Sequence, residues 1–271
     1  MAWLLNNSLL LVIFYVFLAG LCFGSFANVL VYRLPLGLSI VKPSSHCPAC
    51  NHKLGLLDLV PVLSWVFLFR RCRYCKEKIS AIYPFVEIIC GLLFAAVVWY
   101  SPNFSAIPLI VLAFLLLVIA IIDMKTQEIH DILLIIGAVL GLTWVSAAFF
   151  LPAVFPGAPV WHDALLGVLA GGLPLFIIDR ICLLVLKKDG FGFGDVKLMA
   201  MAGLFIGWQL MFFAYFFAFI SGAVYAVVML IARRLQQGTY MAFGPFLCAG
   251  ILAALWFGQS VTAWFLGLLM I

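Results

Sequence analysis

Eight apolar runs, most of them of membrane-crossing length, constrain this chain more than any other feature. They fall near residues 9–31, 84–100, 105–122, 132–150, 164–186, 197–209, 211–231 and 243–269. A spanning helix needs about 20 mostly apolar residues. The sixth run is short, so the count is eight to within one. Ser101-Pro102-Asn103-Phe104 separates the second and third runs as a tight helical hairpin. Only 9% of residues are charged and 67% are hydrophobic, whereas a soluble domain carries about 25% charged residues. The surplus apolar surface must face lipid, and the fold expected is an all-α polytopic membrane protein with about eight transmembrane helices. No cleavable signal peptide is expected. Residues 1–8 lack Lys and Arg, and the run after them is too long for an h-region.

Orientation follows from the basic residues. All 15 Lys and Arg lie in or beside the loops near 32–83, 123–131, 187–197 and 232–242. The opposite-side loop, 151–162, contains none. The positive-inside rule places the basic loops in the cytoplasm and both ends of this sequence outside, as in a protein of the cell inner membrane. The net charge of +5 is thereby explained by the lipid bilayer, without a nucleic-acid partner. The organisation expected is a first transmembrane helix over 1–32, a cytoplasmic insert over 33–83 and a transmembrane core over 84–271.

The insert carries Cys47-Pro48-Ala49-Cys50 and Cys72-Arg73-Tyr74-Cys75. Two C-x2-C pairs at such a separation read as a tetrahedral zinc site, and a reducing cytoplasm disfavours disulfides. Four thiolates close the coordination shell, so the zinc is structural. An insert this small also needs a staple. His46 and His52 flank the first knuckle as alternative ligands. Cys22, Cys90, Cys182 and Cys248 sit in apolar runs as packing residues. The apolar stretch Asp58–Trp65 packs on the membrane surface or on the helix bundle.

The chain has ten Asp and Glu. An acid at the hydrocarbon boundary is costly and marks function by default. Asp123 ends the third run, and Asp195 follows Gly192-Phe193-Gly194 at the start of the sixth. The derived topology puts both at the inner membrane edge, on different helices. Two carboxylates held together share a proton; the ionised one activates a water and the protonated one polarises a carbonyl. Gly192 and Gly194 permit unusual dihedrals and close approach of a substrate backbone. On position alone a plainer reading stands beside this one. Asp123 caps the next helix or pairs with Lys125, and Asp195 is a first-turn acid beside Lys197. Asp131 and Asp163 read as N-caps, and Asp179 with Arg180 as an internal ion pair. Glu87 serves a second site or bridges to the insert.

Ordered motifs extend these readings. Gly24-Ser25-Phe26-Ala27-Asn28-Val29-Leu30-Val31-Tyr32-Arg33-Leu34-Pro35 comes first, then the cysteine knuckles with Ile79–Glu87. The aspartate ending the third run follows, and then the G-x-G-D aspartate with Phe243-Gly244-Pro245-Phe246 late in the chain. Together they resemble the type IV prepilin peptidases over nearly the whole chain. The resemblance implies an aspartic endopeptidase that cleaves prepilin or pseudopilin leaders at the cytoplasmic face, with Asp123 and Asp195 catalytic. It also implies methylation of the new amino terminus with S-adenosylmethionine as co-substrate. The insert is then the methyltransferase region, with Gly24, Asn28, Arg33 and Glu87 as candidate binding residues, and 84–271 is the protease core. Ile129-His130-Asp131 and Asp58-Leu59 depart from the usual pattern, and the 151–162 loop is long. Retained cleavage without methylation is one alternative. A presenilin-like G-x-G-D protease is another, although its carboxy-terminal Pro-Ala-Leu is missing. A non-enzymatic transporter or assembly protein is a third.

Overall fold

Backbone amides and carbonyls must find partners within the chain when lipid replaces water, which favours helices for apolar runs. The computed structural model describes residues 2–187, 190–232 and 241–269. These form α1 (Ala2–Arg33), α2 (Leu63–Phe67), α3 (Ile82–Tyr100), α4 (Ala106–Thr126), α5 (Asp131–Phe150), α6 (Trp161–Leu186), α7 (Phe193–Ile231) and α8 (Gly244–Leu269). Among the described residues there is no strand, only bridges pairing His46 with Lys53 and Arg71 with Lys78. Six helices, α1 and α3–α7, are long and apolar enough to cross a membrane, and α8 contributes the shorter apolar stretch Gly244–Gly258. The chain is thus an all-helical, multi-pass membrane protein. The loop residues Lys188, Arg233 and Arg234, used for the expected topology, lie outside the described residues.

The chain divides into two compact units, Met1–Val118 and Ile119–Ile271, with the boundary inside α4. In the first unit α1 and α3 pack antiparallel through glycines. A Cβ at Gly20 would stand 2.7 Å from the Gly91 Cα, and one at Gly24 would stand 2.5 Å from the Glu87 Cα. Gly20-x3-Gly24 is therefore a small-residue stripe that lets two backbones approach in lipid, where dispersion replaces the hydrophobic effect. The Asn28 amide continues the register by donating to the Tyr83 carbonyl at 3.1 Å.

In the second unit α6 lies against the start of α7, with Gly167 on Gly203 and Gly171 on the Met199 carbonyl. A straight 39-residue α7 would reach about 58 Å, nearly twice the hydrocarbon thickness. It is not straight. Gly207 has φ 68° and ψ 174°, a region open essentially to glycine alone. A Cβ at Gly171 would meet both the Met199 carbonyl and the Met211 Cε, and the Tyr215 hydroxyl donates to the Gly171 carbonyl. Residues 199 and 211 of one straight helix would be about 18 Å apart, so the chain doubles back at Gly207. α8 then runs antiparallel to the second half of α7: Gly258 meets Leu210, Gly250 meets Ala214 and Ala218, and Phe243 and Phe246 flank Gly222. The sixth and seventh apolar runs are the two halves of α7. Two caps differ from expectation. His130 is the N-cap of α5 and Val160 that of α6, which puts Asp131 and Asp163 inside the first turns.

Candidate active site

Asp123 lies in the last turn of α4 and is buried. An acid there faces the negative end of the helix dipole, so it is not present to stabilise its own helix. Its Oδ2 instead accepts the Gly244 backbone N–H at 3.0 Å, in a fully buried bond. Gly244 is the first residue of α8, so the positive end of that helix meets Asp123. A side chain there would displace the carboxylate, because a Cβ on Gly244 would lie 2.6 Å from the same oxygen. Pro245 at the next position costs little, since N–H groups in a first turn lack helical partners. The helix-cap and Lys125 readings of Asp123 find no bond among the described contacts.

Asp195 is in the first turn of α7, also buried, behind the N-cap Gly192. It is a first-turn acid, as the plainer reading held, but it also lines a hollow of about 330 Å³ together with Asp123. Gln127, Glu128, Asp131 and Lys197 complete the rim. Lys197 does not pair with Asp195; its ammonium binds both Asp131 oxygens, at 2.7 and 2.9 Å. That bridge ties the entry of α5 to the first turn of α7.

Neither loop glycine needs an unusual conformation. Gly192 has φ −66° and ψ 140°, and Gly194 is within the helix. Close approach is the reason for Gly194, since a Cβ there would come 2.9 Å from the Ile129 Cβ. The expectation of special dihedrals is therefore corrected, and the tight contact of Gly194 is with the Ile129 side chain. Asp179, expected as an ion pair, does bind Arg180 at 2.6 Å. Its other oxygen accepts the N–H groups of Gly190 and Phe191 at 3.1 and 3.4 Å, and so holds the loop that leads to Asp195. Gly244, Asp179 and the Lys197–Asp131 bridge were not legible as site residues. Each acts across a distance in sequence that no local pattern spans.

The first unit holds a separate centre. The sulfurs of Cys47, Cys50, Cys72 and Cys75 lie within 4.8 Å of one another, and those of Cys47 and Cys75 are 3.8 Å apart. A zinc tetrahedron with Zn–S bonds of ~2.3 Å has S···S edges of ~3.8 Å, so the four cysteines fit a metal ion. The two knuckles share one backbone design. Asn51 N–H donates to Cys47 O and Lys76 N–H to Cys72 O, while Cys47 N–H donates to His52 O and Cys72 N–H to Glu77 O. Asn51 and Lys76 both turn through positive φ. Within the cluster the Cys50 backbone N–H brings the Cys47 thiol down to about 7, whereas for Cys75 the Glu77 N–H is outweighed by burial and hydrogen bonds with the other three thiols, which push the thiol up to about 12. The histidines stand aside: His46 faces Ser44 O, and His52 lies tilted against Tyr74, 3.6 Å between ring centres. Asp58 clamps the knuckles by accepting from Gly55 N–H, Arg73 Nε and Tyr74 Oη.

Gly24, Asn28, Arg33 and Glu87 all fall at the junction of α1, α3 and the insert. Glu87 Oε2 accepts the Val62 N–H at 2.7 Å, and Arg33 donates to Ser39 O and Pro43 O. With Gly24 beneath Glu87 and Asn28 on Tyr83, each of the four already knits this unit together.

Comparison with known proteins bears on both units. Residues 18–101 match the bacterial peptidase A24 N-terminal domain, and residues 110–227 match the type IV leader peptidase family. A Pseudomonas putida protein named prepilin leader peptidase/N-methyltransferase is 35% identical over 268 residues, 90% of each chain. Proteins of the same name are 34% identical in Pseudomonas aeruginosa, over 92% of this chain and 91% of theirs, and 32% in Bacillus subtilis, over 92% and 96%. No solved structure matches the chain. The two domain matches, and relatives aligned over nine-tenths of their length, show that this enzyme belongs to the type IV leader peptidase family.

Proposed function

We propose that the chain is a membrane aspartic endopeptidase that removes the leader of type IV prepilins or pseudopilins, and that it methylates the amino terminus so exposed. The observation that carries the proteolytic reading is the meeting of Asp123 and Asp195 in one hollow, both buried, with Asp195 in the first turn of α7 and Asp123, from the end of α4, facing the amino end of α8. Two such carboxylates share a proton. The ionised partner takes a proton from water as the oxygen attacks the scissile carbonyl. The protonated partner donates to the carbonyl oxygen, and collapse of the tetrahedral species expels the amine with a proton. The Gly244 N–H holds Asp123 during these transfers.

With α7 counted as two passes, the chain crosses the inner membrane eight times, and the hollow opens to the cytoplasm by the positive-inside rule. The cysteine cluster then lies in the cytoplasm and binds one structural zinc. S-adenosylmethionine, when bound, supplies the methyl group. Its place is assigned to the junction of α1, α3 and the insert. There Gly24, Asn28, Arg33 and Glu87 are its candidate binding residues, the last three held by hydrogen bonds within the chain. Cleavage of a reconstituted prepilin by wild type, Asp123→Asn and Asp195→Asn tests the protease. Both variants should lose processing while keeping their fold, and full processing by either would overturn the mechanism. Methyl transfer to a pre-cleaved pilin separates the bifunctional enzyme from a peptidase that cleaves only.

A further inference from the structure

The cysteine knuckles account for the two ends of the insert but not for its middle. There the chain forms α2 and then turns sharply. Leu63, Val66 and Phe67 sit at i, i+3 and i+4 and so share one face of that helix. They are 53%, 52% and 74% exposed, and Phe69 beyond them is 84% exposed. The other side of α2 is fastened down. Val62 N–H donates to Glu87 Oε2 at 2.7 Å, and Trp65 Nε1 donates to Ile79 O at 3.2 Å.

Those two bonds fix the depth of α2. Glu87 is the sixth residue of α3, about 7.5 Å along a helix that rises ~1.5 Å per residue. α3 has 19 residues, about 28 Å by the same rise, which nearly matches a hydrocarbon layer of ~30 Å. Val62 is therefore held level with the second turn of a helix that has no length to spare outside the membrane. At that level α3 itself shows Ile82, Phe85 and Ile88 to its surroundings. The apolar face of α2 is continuous in depth with a surface that already meets lipid.

The turn after α2 supports the same placement. Phe69 and Arg70 both adopt left-handed φ, 52° and 62°, which is costly for residues with side chains. The turn leaves Phe69 exposed, while the Arg70 guanidinium lies 5.1 Å from the centre of the Trp65 ring. An indole backed by an arginine, held beside the first turns of the spanning helix α3, suits the headgroup layer.

We propose that residues 63–69 form an interfacial anchor. Leu63, Val66, Phe67 and Phe69 enter the acyl boundary of the bilayer, with Arg70 and Arg71 at the phosphates, and the knuckles are held against the membrane surface. This rests on the membrane-spanning fold alone, so it stands or falls apart from the proteolytic and methyl-transfer readings.

The test places a photo-crosslinking benzophenone side chain at position 67 of the full chain, reconstituted in phosphatidylethanolamine–phosphatidylglycerol vesicles. A second variant carries it at position 53, in the first knuckle. Both are first checked for native helical circular dichroism and monodisperse elution. The expected result is at least five-fold more phospholipid adduct at 67 than at 53, by mass spectrometry of the insert. Equal lipid labelling at the two positions overturns the proposal. So does crosslinking of position 67 mainly to this chain or to a second copy.

Discussion

Gly244→Ala is the substitution on which the reading of the active site turns. The added methyl would sit 2.6 Å from Asp123 Oδ2 and 3.0 Å from its Cγ. An ordinary carbon–oxygen contact is longer by roughly 0.7 Å, so the carboxylate has to swing away by about that much or more. The swing stretches the 3.0 Å bond from Gly244 N–H. A hydrogen bond to a charged group contributes about 1.5–3 kcal/mol, which is a rate factor of roughly 10 to 150. A displacement near 1 Å in a catalytic constellation costs about the same, on the order of 100-fold. The two estimates describe one event and are not summed. Alanine is a better helix former than glycine, so α8 itself should persist. Gly244 has no assigned contact with substrate, and the loss should therefore fall on kcat with KM within about three-fold. The assay is single-turnover cleavage of a reconstituted prepilin, alongside thermal unfolding in detergent. Retention of kcat within three-fold of wild type would refute the role given to Gly244. A fall in kcat that merely tracks the folded fraction would refute it too.

Four further outcomes are expected. Asp179→Ala releases the Gly190 and Phe191 amides and should lower kcat by roughly ten-fold or more; Asp179→Asn, which keeps an acceptor, should recover much of it. Gly207→Ala forces a side chain into a conformation that costs on the order of 1–3 kcal/mol, and a lowered unfolding temperature in detergent should report it. Cys72→Ser should abolish stoichiometric zinc in elemental analysis and open the 34–81 segment to protease, while a metal-free wild type that resists protease would contradict a structural metal. The last concerns acidity. Burial alone would raise the Asp58 carboxyl, but hydrogen bonds from Arg73, Gly55 and Tyr74 outweigh it and hold the group below the usual range. Its stabilising contribution is present above the unfolded value of about 3.9 and is lost as pH falls through the lower folded value. The protection of the knuckle amides, relative to their intrinsic exchange rate at each pH, should therefore be the same at pH 5 and pH 7 in wild type and lower in Asp58→Asn at both.

How much was legible beforehand differs from element to element. The apolar runs were legible because lipid imposes a length and an apolarity on every crossing, and those are properties of a segment read by itself. The cysteine pairs were legible for a similar reason, since a knuckle is a local turn with its ligands at fixed spacing. Asp123 and Asp195 stood out as acids at the ends of apolar runs, although position alone left a helix cap as good an answer. The aspartates' surroundings were not legible. Phe243-Gly244-Pro245-Phe246 was visible as a motif, but nothing local said that its amide reaches a carboxylate 121 positions away. Asp179 looked like half of an ion pair, and its second duty shows only once the 190–191 backbone has folded over it.

The G-x-G-D segment marks the division. Its composition was enough to single out the aspartate, yet it suggested strained glycines where the structure has ordinary backbone and a tight contact with Ile129. α7 divides in the same way. The sequence determined two apolar runs in a row, while a single glycine at 207 with positive φ decided that the second doubles back and brings α8 to Asp123. Segment lengths, metal-binding spacing and the cost of a charge near lipid are local quantities, which the order of residues already carries. Which amide faces which carboxylate depends on where whole helices lie, and that emerges from their packing.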